Sequence, residues 1–263
     1  MISAGFLSWE GYGGLAKLNS ARFGINEPRF YRFWGKGGGL FSFEAKAKET
    51  DLYIRASKNL KKEAIESIIR HRKPIEDFIR LNPEFEKTLA PYPICDDMAP
   101  IVKEMVLAAE KVGVGPMAAV AGAVAEFVGR DLLKFCEEVI VENGGDIFIK
   151  VKKTINVGIY AADSPFTQRL SLKILPKETP IGICTSSGTV GPSLSFGTSD
   201  ATVALSKSAS LADACATAIG NLIKDETDIQ KALGYAKAIE GLYGVVIIKG
   251  KKMGAWGNVR FSR

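Results

Sequence analysis

Histidine is almost absent from this 263-residue sequence. His71 is the only one, so a Ser-His-Asp triad, a Cys-His dyad or a histidine-rich metal site would have to be built around this single side chain. It stands in the basic stretch Arg70-His71-Arg72-Lys73, which is more typical of a solvated surface than of an active site. The sequence therefore argues against histidine-based catalysis.

Paired cysteines are also lacking. Cys95, Cys136, Cys184 and Cys215 stand 41, 48 and 31 residues apart, without a CxxC pair, which argues against zinc ribbons and thioredoxin-type redox motifs. Unpaired cysteines suit the reducing cytoplasm, where we expect the protein to be. Cys184 and Cys215 remain candidates for a nucleophile or persulfide carrier, with packing as small buried hydrophobic side chains as the alternative.

Long apolar runs and concentrated charge are missing as well. The most apolar stretch, residues 112–128, contains three glycines and a proline and is too short to cross a bilayer. The first ten residues lack the features of a secretory signal peptide. The net charge of +6 is spread along the chain instead of forming a basic stripe. We therefore expect neither a membrane nor a nucleic-acid partner.

The order of secondary-structure patterns predicts the fold class. Strand patterns are grouped at both ends of the chain and helical patterns occur in runs, which favours an α+β fold. We interpret residues 1–26 as a loose lead-in and residues 27–263 as a single domain. A hairpin is predicted around residues 29–47, and a helix over residues 60–81 in which Pro74 should introduce a kink or a break.

The first candidate site is the segment Asn143-Gly144-Gly145-Asp146 between two apolar strands. Paired glycines accept positive φ angles, so the segment predicts a hairpin turn. The functional alternative is that the glycines let the backbone approach a ligand, while Asp146 accepts a hydrogen bond from a ribose or ring donor.

The second candidate site, Thr185-Ser186-Ser187-Gly188, directly follows an apolar strand pattern. Hydroxyl groups and backbone amides at a strand end suit phosphate or pyrophosphate, because they donate hydrogen bonds without repelling the anion. We predict one anion site from this segment and the Gly144-Gly145 turn. A polar surface loop is the alternative interpretation.

The third candidate site lies in a predicted helix that contains Asp213 and Thr217. Ser210 and Asp213 have the spacing of a capping box, which requires no ligand. Asp213 and Thr217 are four residues apart and therefore share a helix face, where a carboxylate and a hydroxyl suit Mg²⁺. Both interpretations remain open.

These segments occur in a recognisable order: AGA at residues 121–123, NGGD at 143–146, TSSG at 185–188 and ADACAT at 212–217. The series resembles that of the ApbE-like superfamily, the FAD:protein FMN transferases. The resemblance implies a T-fold-like α+β architecture with a largely antiparallel sheet packed against helices. It also implies FAD or FMN as bound nucleotide and Mg²⁺-dependent pyrophosphate cleavage. It makes Asp213 and Thr217 metal ligands, and residues 143–146 and 185–188 nucleotide contacts.

Two departures from that family indicate a divergent branch. The transferases carry a His-x-Ile-Asp-Pro-x-Thr-Gly stretch where this chain has residues 191–200 without histidine, and Glu126 replaces a lysine that follows their AGA element. We therefore predict that FMN transfer to a protein threonine is weak or missing. A protein acceptor and a homo-oligomer remain open. The alternative functions are a sulfur-handling protein that uses Cys184 or Cys215 and a non-catalytic ligand-binding scaffold.

Overall fold

A computed structural model describes residues 39–167, 169–189 and 195–262. The lead-in at residues 1–26 and the first strand of the hairpin expected around residues 29–47 lie outside the described residues. The assignment of residues 27–263 to a single domain stays a prediction.

The described residues form eleven strands and six α-helices. The strands are β1 (Phe41–Ala47), β2 (Thr50–Ala56), β3 (Val139–Asn143), β4 (Asp146–Lys150), β5 (Ile155–Gly158), β6 (Ser171–Ile174), β7 (Ile181–Ser186), β8 (Ala201–Ser206), β9 (Leu242–Lys249), β10 (Lys252–Gly257) and β11 (Phe261–Ser262). The helices are α1 (Lys61–Leu81), α2 (Glu84–Lys87), α3 (Pro100–Glu110), α4 (Val120–Leu132), α5 (Ala209–Asn221) and α6 (Ile229–Lys237).

Eight strands form one sheet in the order β1-β2-β3-β4-β7-β8-β9-β10, and every neighbouring pair is antiparallel. Strands β5, β6 and β11 form a second, three-stranded antiparallel sheet. The expected α+β class with a largely antiparallel sheet is thereby confirmed.

Alternate residues of the central strands enter two separate hydrophobic cores. In β9, Val245 and Ile247 belong to a core shared with the helices, while Val246 and Ile248 belong to a core shared with the small sheet. Successive side chains of a strand point to opposite faces, so the large sheet is the middle of three layers. Burial on both faces explains why these strands are almost continuously apolar.

The helix predicted over residues 60–81 is the single helix α1, and Pro74 lies inside it without splitting it. Proline removes one backbone hydrogen bond from a helix interior. Buried Ile68 and Ile75, on either side of the proline, anchor α1 to the core and stabilise the helix across this position. None of the helices in the described part of the chain is long and apolar enough to span a bilayer.

The single histidine lies in a polar cluster between α1 and α4. Asp131 Oδ2 accepts hydrogen bonds from Ser67 Oγ at 2.8 Å, His71 Nε2 at 2.8 Å and Arg70 Nη1 at 3.0 Å, and Lys134 Nζ donates to Oδ1 at 2.7 Å. Burial alone raises the pKa of Asp131, but these hydrogen bonds outweigh it and leave the pKa at about 2. The cluster therefore links two helices, and His71 is mostly buried instead of solvated.

We expect Asp131→Asn to lower the free energy of unfolding by about 2 kcal/mol at pH 7, because a carboxylate with a depressed pKa stabilises the folded state above its unfolded pKa. That stabilisation should disappear as the pH falls from about 4 through 2 in the unmodified protein. Urea unfolding at several pH values measures both effects. Asp77→Asn, on the exposed side of α1, should change stability little; equal losses in the two variants would contradict the role given to Asp131.

Candidate active site

The NGGD segment is the tight turn between β3 and β4, as predicted. Asn143 pairs with Asp146, and Gly144 and Gly145 have φ angles of 67° and 115°. Asn143 Nδ2 donates to the carbonyl of Ala121 at 3.1 Å, which fastens the turn to the beginning of α4. The Gly145 amide donates to Glu142 Oε1 at 3.1 Å. The turn is therefore held in place by side chains on both sides.

Asp146 connects this turn to the TSSG segment. Its carboxylate is buried at the start of β4, and Oδ1 accepts a hydrogen bond from the Thr185 amide at 3.2 Å. Burial raises the pKa of Asp146 to about 7; the Thr185 amide opposes the shift and the nearby Glu142 carboxylate adds to it. The fold thus brings together two of the three segments selected from the sequence.

The TSSG segment uses most of its backbone donors within the protein. The Thr185 amide donates to Asp146, the Gly188 amide to Ser199 O at 2.9 Å, and the Thr189 amide to Ser187 Oγ at 3.1 Å. Ser187 is buried, and its hydroxyl donates to Ser199 O at 3.3 Å. Of the hydroxyl and amide donors expected here from the sequence, an anion would therefore depend mainly on the hydroxyl groups.

Two hydroxyls are suitably placed for that purpose. Thr185 and Ser186 occupy the end of β7 and are half-buried. Within the described ranges, neither side-chain hydroxyl has a recorded hydrogen bond. Gly188 brings two backbone segments into close contact, since a Cβ there would lie 2.0 Å from Gly197 O. The end of β7 is therefore closed on one side by residues 197–199 and still offers hydroxyl donors.

Asp213 lies on α5, and its carboxylate faces the first turn of α4. Oδ2 accepts a hydrogen bond from the Gly122 amide at 2.9 Å, and the Ala121 amide also stabilises the charged form. These amides belong to a helix start, where donors lack partners inside the helix. Burial raises the pKa of Asp213 well above its usual value, and the Asp146 carboxylate raises it further. The third segment selected from the sequence, which contains Asp213, therefore lies close to the NGGD and TSSG segments as well.

Thr217 follows one turn after Asp213 on the same face of α5 and is half-buried. Its hydroxyl has no recorded hydrogen bond to the described residues. No group of three or more His, Cys, Asp or Glu side chains within residues 39–167, 169–189 and 195–262 has the geometry of a metal site. A cation at Asp213 would therefore need hydroxyl, water and ligand oxygens as well, which is the coordination that Mg²⁺ commonly adopts.

The two candidate cysteines are enclosed. Cys184 and Cys215 are 0% exposed, and Cys184 Sγ donates to Ala209 O at 3.3 Å. Burial raises the pKa of Cys184 well above the usual value, and Asp146 and Asp213 raise it further; burial raises that of Cys215 to about 12. A nucleophilic or persulfide-carrying cysteine needs an accessible thiolate. Their burial agrees with the alternative interpretation of Cys184 and Cys215 as small buried hydrophobic side chains.

Glu126 has a role that the sequence did not reveal. This fully buried residue of α4 accepts hydrogen bonds from the amides of Ala209 at 2.7 Å and Ser210 at 3.4 Å, and Arg130 pairs with it at 2.5 Å. It therefore caps the start of α5 across a distance of more than 80 residues in sequence. The sequence pattern that could have indicated this role is the position of a charged residue, Glu126, within the apolar face of a predicted helix.

The capping box expected at Ser210 is wrong. Helix α5 begins earlier, and Ser208 is its N-cap, with Oγ accepting from the Leu211 amide at 3.2 Å. Ser210 is buried in the first turn. Asp213 is therefore free of any capping function in its own helix and turns its carboxylate toward α4.

Comparison with known proteins identifies the family. A family model described as "AbpE bacteria" matches residues 32–254. The chain belongs to this family. It resembles the UPF0280 protein of Methanococcus aeolicus, with 41% identity over 80% of this chain and 84% of the relative. It also resembles the UPF0280 protein of Methanosphaera stadtmanae, with 44% identity over 73% of this chain and 80% of the relative.

Two solved structures share the fold of this chain. A variant of the flavin transferase ApbE from Vibrio cholerae has a TM-score of 0.54 and 13% identity, covering 82% of this chain and 96% of that chain. The apo form of the flavinyl transferase ApbE from Pseudomonas stutzeri has the same score and identity and covers 82% and 94%. The ApbE-like architecture expected from the motif order is thereby confirmed. At this identity the likeness concerns the fold alone.

Proposed function

We propose that this protein binds a flavin nucleotide, FAD or FMN, together with Mg²⁺, where α5 passes the ends of β4 and β7. The observation that carries the proposal is the proximity of the Asp146 and Asp213 carboxylates: Asp146 accepts from the Thr185 amide beside the end of β7, Asp213 accepts from the Gly122 amide, and the Asp146 carboxylate raises the pKa of Asp213. Both solved proteins of the same fold are flavin transferases by name, which supports this ligand class.

The electrostatics of the pair favour a bound cation. Two nearby carboxylates in a partly desolvated site repel each other when both are ionised. Among the residues that the structure describes, no lysine or arginine forms a hydrogen bond or an ion pair with Asp146 or Asp213. A divalent cation would supply the missing positive charge and would lower the pKa of both groups. Asp213, with Thr217 on the same helix face, would hold that ion.

The neighbouring residues suit the rest of a nucleotide. The hydroxyls of Thr185 and Ser186 can donate to phosphate, and the Gly144-Gly145 turn lets a ligand approach the backbone. Asp146 can accept a hydrogen bond from a ribose or ring donor. When bound, Mg²⁺ would neutralise charge on the pyrophosphate, the chemistry needed for its cleavage. Such cleavage of FAD would release FMN, for which a protein is one conceivable acceptor.

Transfer to a protein threonine should nevertheless be weak or missing, because the His-x-Ile-Asp-Pro-x-Thr-Gly stretch of the transferases is replaced. In the described part of the replacing segment, the Phe196 amide donates to Asn221 Oδ1 at 2.9 Å, and Asp200 Oδ2 accepts from the Gly250 amide at 2.6 Å, so these groups are bonded to other parts of the fold. Residues 191–194 lie outside the described part.

The test is titration of the purified protein with FAD in the presence of Mg²⁺ or EDTA, followed by flavin fluorescence and chromatography of released FMN and AMP. We expect saturable, Mg²⁺-dependent binding, little flavin attached to a threonine-bearing acceptor, and tighter binding of FAD than of riboflavin. Binding without release of FMN would identify a ligand-binding scaffold. Absence of flavin binding with Mg²⁺ present would refute the proposal, and efficient flavinylation would refute the weakness predicted for transfer.

A further inference from the structure

A second cleft, with a volume of about 220 Å³, lies between the small sheet and the large one, at the opposite end of the strands from the flavin site. Its wall includes Ile181, where β7 begins, while Thr185 and Ser186 end that strand. At 3.3 Å per residue the two ends of β7 are roughly 17 Å apart. The cleft is therefore separate from the proposed nucleotide site.

The cleft is strongly cationic. Lys173, Lys177, Lys207 and Arg260 line it, and Glu178 is the single carboxylate among the described residues of its wall. These four cations come from separate parts of the chain, namely β6, the turn after it, the end of β8 and the approach to β11. Three positive charges therefore remain in excess, in a protein whose net charge is only +6.

Glu178 is already committed to structural contacts. Its Oε2 accepts from the Leu175 amide at 2.8 Å, and Oε1 accepts from Asn258 Nδ2 at 3.1 Å and from Arg260. Despite partial burial, which raises its pKa, these hydrogen bonds leave the pKa of Glu178 below its usual value, so it is ionised. Glu178 thus positions Asn258 and Arg260 and cannot neutralise the lysines.

The lysines retain binding capacity. Lys207 Nζ donates to the Glu178 carbonyl at 2.5 Å and lies 5.9 Å from the ring centre of Tyr243, which fixes its position. An ammonium group has three donors, so two remain. No ion pair is recorded between Lys173 or Lys177 and any residue of the described ranges. Converging cations without counter-charges repel one another, and an anion between them would remove that repulsion.

We propose that this cleft binds a small anion with two or more charged groups, a phosphorylated or polycarboxylate metabolite. Apolar residues, among them Leu172, Ile174 and Leu205, also line the cleft, so its wall is not entirely polar and suits the carbon skeleton of an organic anion. The volume of about 220 Å³ lies below the roughly 300–1,000 Å³ of drug-sized ligand sites, which favours a small metabolite over a dinucleotide.

The test is isothermal titration calorimetry of the full chain with inorganic pyrophosphate and, separately, citrate, both in EDTA so that no divalent cation can assist the flavin site. The double variant Lys173→Met/Lys207→Met removes two charges from the cleft. Lys103→Met/Lys231→Met removes two charges from exposed positions on α3 and α6 and is the matched control. Asp213→Asn separates this site from the flavin site.

We expect one saturable site per chain for at least one probe, and the probe that binds identifies phosphate or carboxylate as the preferred group. Affinity should fall at least tenfold in the cleft variant and stay unchanged in the control and in Asp213→Asn. Equal losses of affinity in the two lysine variants would show that the effect comes from the overall charge of the protein, and this result would overturn the proposal. Absence of saturable binding of both probes, or loss of binding in Asp213→Asn, would also overturn it.

Discussion

Asp213→Asn is expected to weaken Mg²⁺-dependent flavin nucleotide binding by roughly 100-fold, the upper end of the loss produced when a hydrogen-bonding partner of a metal ligand is removed. The amide keeps an oxygen that can accept the hydrogen bond from the Gly122 amide, so the start of α4 remains capped. The substitution removes the charge that would hold the cation. Binding of FAD with Mg²⁺, measured by fluorescence titration, tests this expectation.

Stability gives an independent readout for the same variant. The folded-state pKa of Asp213 is raised, so its ionisation destabilises the fold as the pH rises, and the stability associated with the protonated form is lost on passing through the folded pKa. We therefore expect Asp213→Asn without metal to be at least as stable as the unmodified protein at pH 8. Reduced nucleotide binding together with reduced stability would indicate a structural role instead of metal binding.

Two further variants test whether the loss of binding is specific to the proposed metal site. Thr217→Val keeps the side-chain volume and removes the hydroxyl, so it should weaken Mg²⁺-dependent binding by less than the aspartate change. Asp163→Asn removes a carboxylate from an exposed turn far from α5 in sequence and should leave binding unchanged. Full binding by Asp213→Asn in EDTA would reject the metal role altogether.

Local patterns predicted much of the fold. The two glycines between two apolar strands define the β3–β4 turn, because their positive φ angles are a local requirement that few other residues meet. The order of the motifs also predicted which segments meet, since Asp146 contacts Thr185 and influences Asp213. The turn follows from a short stretch of sequence. The meeting of the segments follows from short motifs and from the order in which they occur along the chain.

Long-range contacts account for most of what was missed. Ser208 and Ser210 are equally good capping residues by sequence, and the choice between them depends on Glu126, which lies on another helix. Likewise, the amides of the TSSG segment looked available, but Ser199 O accepts from Gly188. Short motifs cannot show which donors are already bonded within the fold, because their acceptors are distant in sequence.

The close approach of α4 and α5 at Gly122 is the feature on which the whole site depends. A Cβ at this position would lie 2.3 Å from the backbone oxygen of Ala209 and 2.8 Å from Cβ of Asp213, closer than real Cβ contacts allow. Backbone atoms cannot rotate away as a flexible side chain does. A side chain at residue 122 must therefore separate the two helices and displace both Asp213 and the amides that Glu126 binds.

We expect Gly122→Ala to lower the free energy of unfolding by about 1–3 kcal/mol, despite the better helix propensity of alanine, and to remove most flavin binding. The matched control is Gly234→Ala in α6, where no atom lies within 4 Å of the added Cβ. That variant should gain about 0.5–1 kcal/mol in stability and bind flavin normally. Urea unfolding and FAD titration of both variants measure the difference. A stable Gly122→Ala protein with normal affinity would show that the contact between α4 and α5 does not position the site.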